Sequence, residues 1–157
     1  MKEFLDESFS FGEWTGGEIF LDFHGYLRYY LKVRIFKNTW FSRFVRKENI
    51  GDDELRDIVD QLEAGQADTN LGGDVYKQRV ARPGEGKSGG YRVVVFFRSK
   101  ERTFFVYGFP KSKTANISRK ELKAFKEAAK KYFSMTSDQL NKRIEQGQLI
   151  ELQGDGL

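Results

Sequence analysis

The residue types that this sequence lacks already exclude several classes of protein. None of its 157 residues is cysteine, which excludes a disulfide scaffold, a thiolate nucleophile and any cysteine-based zinc or iron–sulfur site. The single histidine, His24, excludes a two-histidine metal site and catalysis by a histidine pair. Only two prolines occur, and the longest apolar runs are five or six residues, whereas a bilayer-spanning helix needs ~20. We therefore expect a soluble, cytoplasmic protein that requires no metal and no other cofactor.

Charge is spread unevenly along the chain. Residues 1–33 contain six acidic and three basic side chains, a net charge of −3, whereas the whole chain carries +4. Between residues 74 and 113 ten basic side chains face only three acidic ones, so this stretch alone has a net charge of +7. A basic segment of this size indicates a polyanionic partner, and a solvated surface is the alternative interpretation.

Hydrophobic patterning predicts an α+β domain in which helices flank a small, mainly antiparallel sheet of five strands or fewer. Strands are predicted from aromatic and β-branched runs or from alternation: 29–36, 74–81, 91–98, 103–109 and a short one at 149–152. Helices are predicted from capping residues and from apolar positions three and four apart: 39–49, 52–64, 118–133 and 137–146. Runs 91–98 and 103–109 are nearly continuous and apolar, so we expect them to form the central hairpin. Residues 71–73 fall in a polar loop.

The segment 81–90 is rich in glycine and invites comparison with a phosphate-binding P-loop. That motif needs a glycine where Ala81 stands and a helix after its Lys-Ser pair, whereas a strand is predicted here. Nucleoside triphosphate binding is therefore excluded. Two interpretations remain, a flexible connection between strands or a mobile basic loop whose Lys87 meets a nucleic-acid phosphate.

Four segments in a fixed order carry a resemblance to a known family: 71–73, 77–81, 84–92 and 105–112. Together they resemble the RelE/HigB-like toxins of bacterial toxin–antitoxin systems, in particular the branch in which a Gly-Lys-Ser-Gly-Gly-Tyr-Arg run precedes the central strand. The resemblance covers residues 33–152. Residues 1–32 are then an acidic, aromatic N-terminal extension, and residues 153–157 a flexible tail.

The resemblance implies a metal-independent endoribonuclease, an mRNA interferase that cleaves messenger RNA on the ribosome and is neutralised by a cognate antitoxin protein. The family's basic active-site positions fall on three residues: Lys77, Arg79 and Arg92. Three further catalytic positions follow: Lys87, Tyr107 and Lys111. The residues expected to bind RNA are these: Arg82, Lys87, Ser88 and Lys113.

These residue types suit RNA cleavage by the 2′-OH group, which must lose a proton and attack the neighbouring phosphorus. The reaction needs a base, a stabiliser of phosphoryl charge and an acid for the leaving 5′-oxygen. Like charges disfavour an ammonium form, so a lysine packed among cations, such as Lys77, can accept a proton. The two arginines can grip phosphoryl oxygens through paired N–H groups. Lys87 or Lys111 could protonate the leaving oxygen, while Tyr107 could stack on a base or donate through its hydroxyl.

Two other functions remain open at this point. A ParE-like topoisomerase poison would share the fold but lack the basic ribonuclease set, and a non-catalytic RNA-binding module would need only the basic segment. Some relatives use a tyrosine of the last helix, but none aligns here, and we expect Tyr132 and Tyr91 to pack in the core. His24 is expected to be a structural or surface histidine.

The N-terminal extension allows three interpretations. Its acidic start lacks the positive charge of a secretory signal, and its glycines break any long helix, so a loop or short hairpin is expected. It could add an element to the body and bury its aromatic side chains. It could instead fold back near Lys77, Arg79 or Arg92 and dampen activity as an antitoxin segment would, or be a translated upstream extension without a role.

Overall fold

The computed structural model describes residues 33–81, 84, 90–111 and 117–153, together with the backbone of residues 17–21 and 27–31. The helices of this described part are α1 (Thr39–Lys47), α2 (Asp52–Glu63), α3 (Arg119–Ser134) and α4 (Ser137–Glu145). Its strands are β1 (Gly17–Leu21), β2 (Leu27–Leu31), β3 (Arg34–Asn38), β4 (Thr69–Gly72), β5 (Val75–Val80), β6 (Tyr91–Phe97), β7 (Arg102–Pro110) and β8 (Leu149–Glu151). No helix in this part of the chain has the length and apolar character needed to cross a membrane.

Six strands form one sheet in the order β4-β5-β6-β7-β3-β8. Every neighbouring pair is antiparallel except β3 and β7, which run parallel. The central strands β6 and β7 are buried along almost their whole length, as their continuous apolar sequences predict. The chain therefore has the expected α+β fold, with a mainly antiparallel sheet flanked by helices.

Helices cover both faces of this sheet and enclose two hydrophobic cores. On one face α1 and α2 contribute Phe41, Leu55 and Ile58, which pack against alternate side chains of β6 such as Val93. On the other face α3 and α4 pack on a second set of strand residues, and Leu140 of α4 is fully buried there. Side chains of β6 alternate between the two cores. Arg92 is two residues before Val94, so it lies on the same face as Val94, the face that α3 covers.

The helices begin where the capping residues predict. Asn38 precedes α1, and its side-chain oxygen accepts a hydrogen bond from the N–H of Phe41 at 2.7 Å. Ser118 caps α3 through the N–H of Glu121, and Thr136 forms a reciprocal capping box with Gln139 at the start of α4. All four predicted helices are confirmed to within two residues at each end.

Two predictions about the strands are wrong. The run 29–36 does not form one strand, because β2 pairs with β1 in a separate two-stranded sheet whereas β3 lies between β7 and β8. No glycine or proline marks this division, so pairing with distant strands decides it. Residues 71–73 do not all lie in a loop, because 69–72 form β4, a short edge strand that makes the sheet six-stranded.

Of the two local forms expected for residues 1–32, a loop or a short hairpin, the structure has a hairpin, since β1 and β2 pair antiparallel from Gly17↔Leu31 to Leu21↔Leu27. Its side chains, including His24, lie outside the described residues. The three interpretations of its role therefore stay predictions.

Candidate functional site

Three of the predicted cations and one tyrosine share one face of the sheet. Lys77 on β5 lies opposite Val94 on β6, which in turn lies opposite Tyr107 on β7. Two residues further along these strands, Arg79 lies opposite Arg92, which lies opposite Phe109. Residues directly opposite each other project from the same face, so these residues form two adjacent rows. We call these two rows the cationic face: Lys77, Val94, Tyr107, Arg79, Arg92 and Phe109.

The charged side chains of the cationic face and its tyrosine keep part of their surface exposed, whereas Val94 and Phe109 are buried. Lys77, Arg92 and Tyr107 are half-buried, and the Arg79 side chain is 46% exposed. Strands lie ~4.8 Å apart, so Lys77 and Tyr107, two strands apart, are separated by about 10 Å at the backbone. Lys111 is exposed just beyond β7, and its N–H donates to the carbonyl of Gly90 at 3.2 Å, which ties it to the start of β6.

One carboxylate neutralises part of this charge. Asp68, which precedes β4, accepts a hydrogen bond from Arg79 Nη2 at 3.2 Å and another from the Arg79 backbone N–H at 2.7 Å. Arg92 instead donates to the carbonyl of Tyr91 at 3.4 Å. Among the described residues no carboxylate pairs with Lys77, Arg92 or Lys111, so the cationic face keeps a net positive charge. Arg79 has five N–H donors, and its bond to Asp68 leaves others for an anion.

Tyr107 belongs to an aromatic group as well as to the cationic face. Its ring stacks on Trp40 with a centroid distance of 4.6 Å and lies about equally far from Phe109 and Phe125, at 6.1 and 6.0 Å. The ring is therefore held in place on three sides. The hydroxyl of Tyr107 has no hydrogen-bond partner among the described residues.

The other two tyrosines considered from sequence pack in or against the hydrophobic cores: Tyr91 is buried and Tyr132 is half-buried. Tyr91 is 3% exposed, and its hydroxyl donates to Glu48 Oε2 at 2.6 Å. Tyr132 packs on Phe104 and Phe96 with centroid distances of 4.9 and 5.6 Å. Burial raises the pKa of Tyr132, against the opposing effects of the Arg143 charge and of a hydrogen bond with Asn38.

Trp40, like Asp68, is a residue of this region that sequence reasoning missed. It stands at the second position of α1, 45% exposed, and stacks on both Tyr107 and Phe44. Its signal in the sequence is an aromatic residue beside, but not within, the apolar face that Phe41 and Val45 define. Only the packing of α1 against β7 shows that it adjoins the cationic face.

Two features of the sequence bring α1 against β7. The side-chain amide of Asn38 donates to the carbonyl of Val106 at 3.0 Å, at the β-bulge where Val94 and Val95 pair with Tyr107 and Phe105. Gly108 leaves room for Phe44, because a Cβ atom at this glycine would lie 2.3 Å from Phe44 Cε1. The glycine therefore admits the Phe44 ring, which in turn supports Trp40.

Several predicted site residues lie outside the described residues: Arg82, Lys87, Ser88 and Lys113. Their roles stay predictions, as does the behaviour of the glycine-rich segment, of which only Gly84 and Gly90 are described. Its flanking strands, β5 and β6, meet at the cationic face. In the part of the chain that the structure describes, no group of three or more histidine, aspartate or glutamate side chains could hold a metal ion.

Comparison with known families adds a finding about the body of the chain. A family model described as the RelE toxin of the RelE/RelB toxin–antitoxin system matches residues 33–152. The match extends from the residue before β3 to the residue after β8 and includes the whole cationic face. The chain belongs to the RelE toxin family. It is therefore a toxin of a toxin–antitoxin system, and the finer assignment to the HigB branch stays a prediction.

Proposed function

We propose that this RelE-family toxin is an mRNA interferase, an endoribonuclease that cleaves messenger RNA on the translating ribosome without a metal ion. The observation that supports this function most directly is the position of Arg79 opposite Arg92, one row from Lys77 and Tyr107. Two guanidinium groups on neighbouring strands can grip one phosphate from two sides. Phosphoryl-transfer chemistry without a metal needs this kind of fixed positive charge.

In the proposed mechanism the scissile phosphate lies over the Arg79–Arg92 pair. Lys77 Nζ accepts the proton of the 2′-OH group, whose oxygen attacks phosphorus to form a 2′,3′-cyclic phosphate while the bond to the 5′-oxygen breaks. The two arginines stabilise the negative charge that builds up on the phosphoryl oxygens. The leaving 5′-oxygen takes its proton from Lys87, Lys111 or Tyr107.

Asp68 has a positioning role in this mechanism. Its two hydrogen bonds fix both the backbone and one side-chain nitrogen of Arg79. A guanidinium held in place loses less conformational freedom when it binds a phosphate, which strengthens the contact. We propose that the cognate antitoxin neutralises the toxin by covering the same cationic face.

The test is cleavage of mRNA by the full chain on translating ribosomes, with the new RNA ends mapped. We expect Arg92→Ala to lower the cleavage rate roughly 10²–10³-fold, the typical cost of losing one charge-stabilising donor. The double variant Lys77→Ala, Arg79→Ala should abolish cleavage and growth arrest. Lys100→Ala is the matched control, since Lys100 lies in the exposed turn between β6 and β7, at the opposite end of the hairpin from Arg92.

Two outcomes contradict the proposal. Cleavage that survives Arg92→Ala but stops in a chelator would require a metal-dependent mechanism. Growth arrest without any RNA cleavage would favour one of the two alternatives, a topoisomerase poison or a non-catalytic RNA-binding module. Inhibition of DNA supercoiling by the purified chain distinguishes these two from each other.

A further inference from the structure

The mechanism leaves the exposure of Trp40 without a role. This indole is the large hydrophobic side chain that the described part of the chain leaves exposed, with 45% of its surface open to solvent. Its rings lie nearly parallel to those of its two neighbours, at 13° to Phe44 and 28° to Tyr107. A partly exposed aromatic side chain next to cations is a combination with which proteins bind single-stranded nucleic acid.

Trp40 is also held rigidly. Asn38 lies two residues before Trp40 in the chain. Its side-chain amide donates to the carbonyl of Val106 and so joins the start of α1 to the bulge in β7. Phe44, one helical turn further, packs against the backbone of Gly108 and meets the Tyr91 ring in a T-shaped pair with a centroid distance of 5.6 Å. A side chain that is fixed before binding loses little entropy when a ligand packs on it, so its contact contributes more to affinity.

The indole lies beside the row that holds Lys77. Tyr107 connects the indole to this row. Its ring stacks on Trp40, and it lies opposite Val94, which lies opposite Lys77. A strand of RNA whose phosphate lies over the Arg79–Arg92 pair has its neighbouring bases within reach of this side of the sheet. Every base has a π-face, so such a contact suits mRNA of varied sequence.

We propose that Trp40, together with Tyr107, forms a subsite on which a base next to the scissile phosphate packs. This inference rests on the proposed function, because it takes RNA as the ligand of the cationic face. Trp40 positions the RNA and takes no part in proton transfer. An antitoxin segment on the same surface is the competing occupant, and the experiments below distinguish it from RNA.

The first experiment uses Trp40 as its own reporter. The chain has two tryptophans, Trp14 and Trp40, so in a Trp14→Phe variant all tryptophan emission comes from Trp40. The probe is a 2′-O-methyl-RNA hexanucleotide, which cannot be cleaved because its 2′-oxygen carries no proton. We expect quenching of Trp40 emission that saturates with binding, and none with an abasic hexanucleotide of the same backbone. Saturable binding, followed by anisotropy of a labelled probe, with unchanged Trp40 emission would overturn the proposal.

The second experiment measures affinity for the same hexanucleotide. We expect Trp40→Ala to weaken binding roughly 5- to 150-fold, the range for losing one base–aromatic stack. Trp40→Phe, the matched variant, should keep most of the affinity because it keeps an aromatic surface. Thermal unfolding of each variant checks the fold. If the alanine variant does not fold, the phenylalanine variant and the abasic probe still test the inference.

The outcomes separate this inference from the proposed function. If wild type and Trp40→Ala bind RNA equally well while Arg92→Ala is impaired in cleavage, the subsite is overturned and the proposed nuclease function still holds. Trp40-dependent RNA binding by a chain that does not cleave would support the subsite and overturn the nuclease. A Trp40→Ala variant that binds RNA normally but loses affinity for the purified antitoxin would assign the surface to the antitoxin and overturn the proposal.

Discussion

Two of the contacts that the Asn38 side chain makes have different consequences. Its side-chain oxygen caps α1 through the N–H of Phe41, and its side-chain amide donates to the carbonyl of Val106. The first contact starts a helix, and the second joins that helix to the strand that bears Tyr107. One side chain therefore links local structure to the geometry of the site.

Replacing Asn38 should destabilise the fold by an amount that depends on which of these two contacts is lost. We expect Asn38→Ala to lower the free energy of unfolding by about 1–3 kcal/mol, because it removes the cap and leaves the Val106 carbonyl unpaired. Asn38→Ser keeps a capping oxygen and should lose less. Chemical denaturation of the two variants measures the difference, and equal losses would show that the cap contributes nothing.

Gly108 is required by packing rather than by backbone conformation. A methyl group there would meet three atoms of the Phe44 ring at 2.3 to 2.8 Å, and that ring is itself enclosed by Trp40, Phe41 and Tyr91. We expect Gly108→Ala to cost about 1–3 kcal/mol of unfolding free energy, the usual cost of overpacking. Gly108→Ala in a Phe44→Ala background is the control, because that background removes the ring that the added methyl group would meet. A similar loss in both backgrounds would contradict this explanation.

At the scale of elements, helices and strands differ in how far local sequence determines them. Each helix has its cap and its apolar face within one short segment, and all four were predicted. The short strand β4 has neither a long apolar run nor clear alternation. It forms because its backbone pairs with β5, with Thr69 opposite Lys77. That pairing also places Asp68 beside Arg79.

The start of α4 offers a test of capping at this scale. Thr136 accepts from the N–H of Gln139, whose side chain accepts in return from the N–H of Thr136. We expect Thr136→Ala to lower the free energy of unfolding by about 0.5–2 kcal/mol and Thr136→Ser to leave it nearly unchanged. Urea denaturation measures both variants. A stable alanine variant would mean that Leu140 alone, through its burial, holds α4 in place.

At the scale of the whole molecule, charge is distributed unevenly along the chain, since residues 1–33 carry a net charge of −3 and the whole chain +4. The segment 74–113 carries +7 and provides the strands of the cationic face. Binding of RNA to such a surface releases counterions, so affinity should fall steeply as salt rises.

The salt dependence should change by a predictable amount in the arginine variant. For single-stranded nucleic acid each phosphate contact contributes about −0.7 to the slope of log affinity against log salt. We expect Arg92→Ala to make that slope shallower by about 0.7, and Lys100→Ala to leave it unchanged. Titrations of the uncleavable hexanucleotide at several salt concentrations measure it. An unchanged slope for Arg92→Ala would show that Arg92 makes no phosphate contact.

The sequence by itself determined the features that arise within a few residues. Caps and apolar positions three and four apart predicted the helices, and the two-residue period of a strand placed Lys77 and Arg79 on one side. Contacts between distant segments were decided only by the tertiary structure: the division of 29–36 between two sheets, the place of Arg79 opposite Arg92, and the contact of Trp40 with Tyr107. Strand pairing and helix docking bring together residues far apart in the chain, and no local period encodes which of them meet.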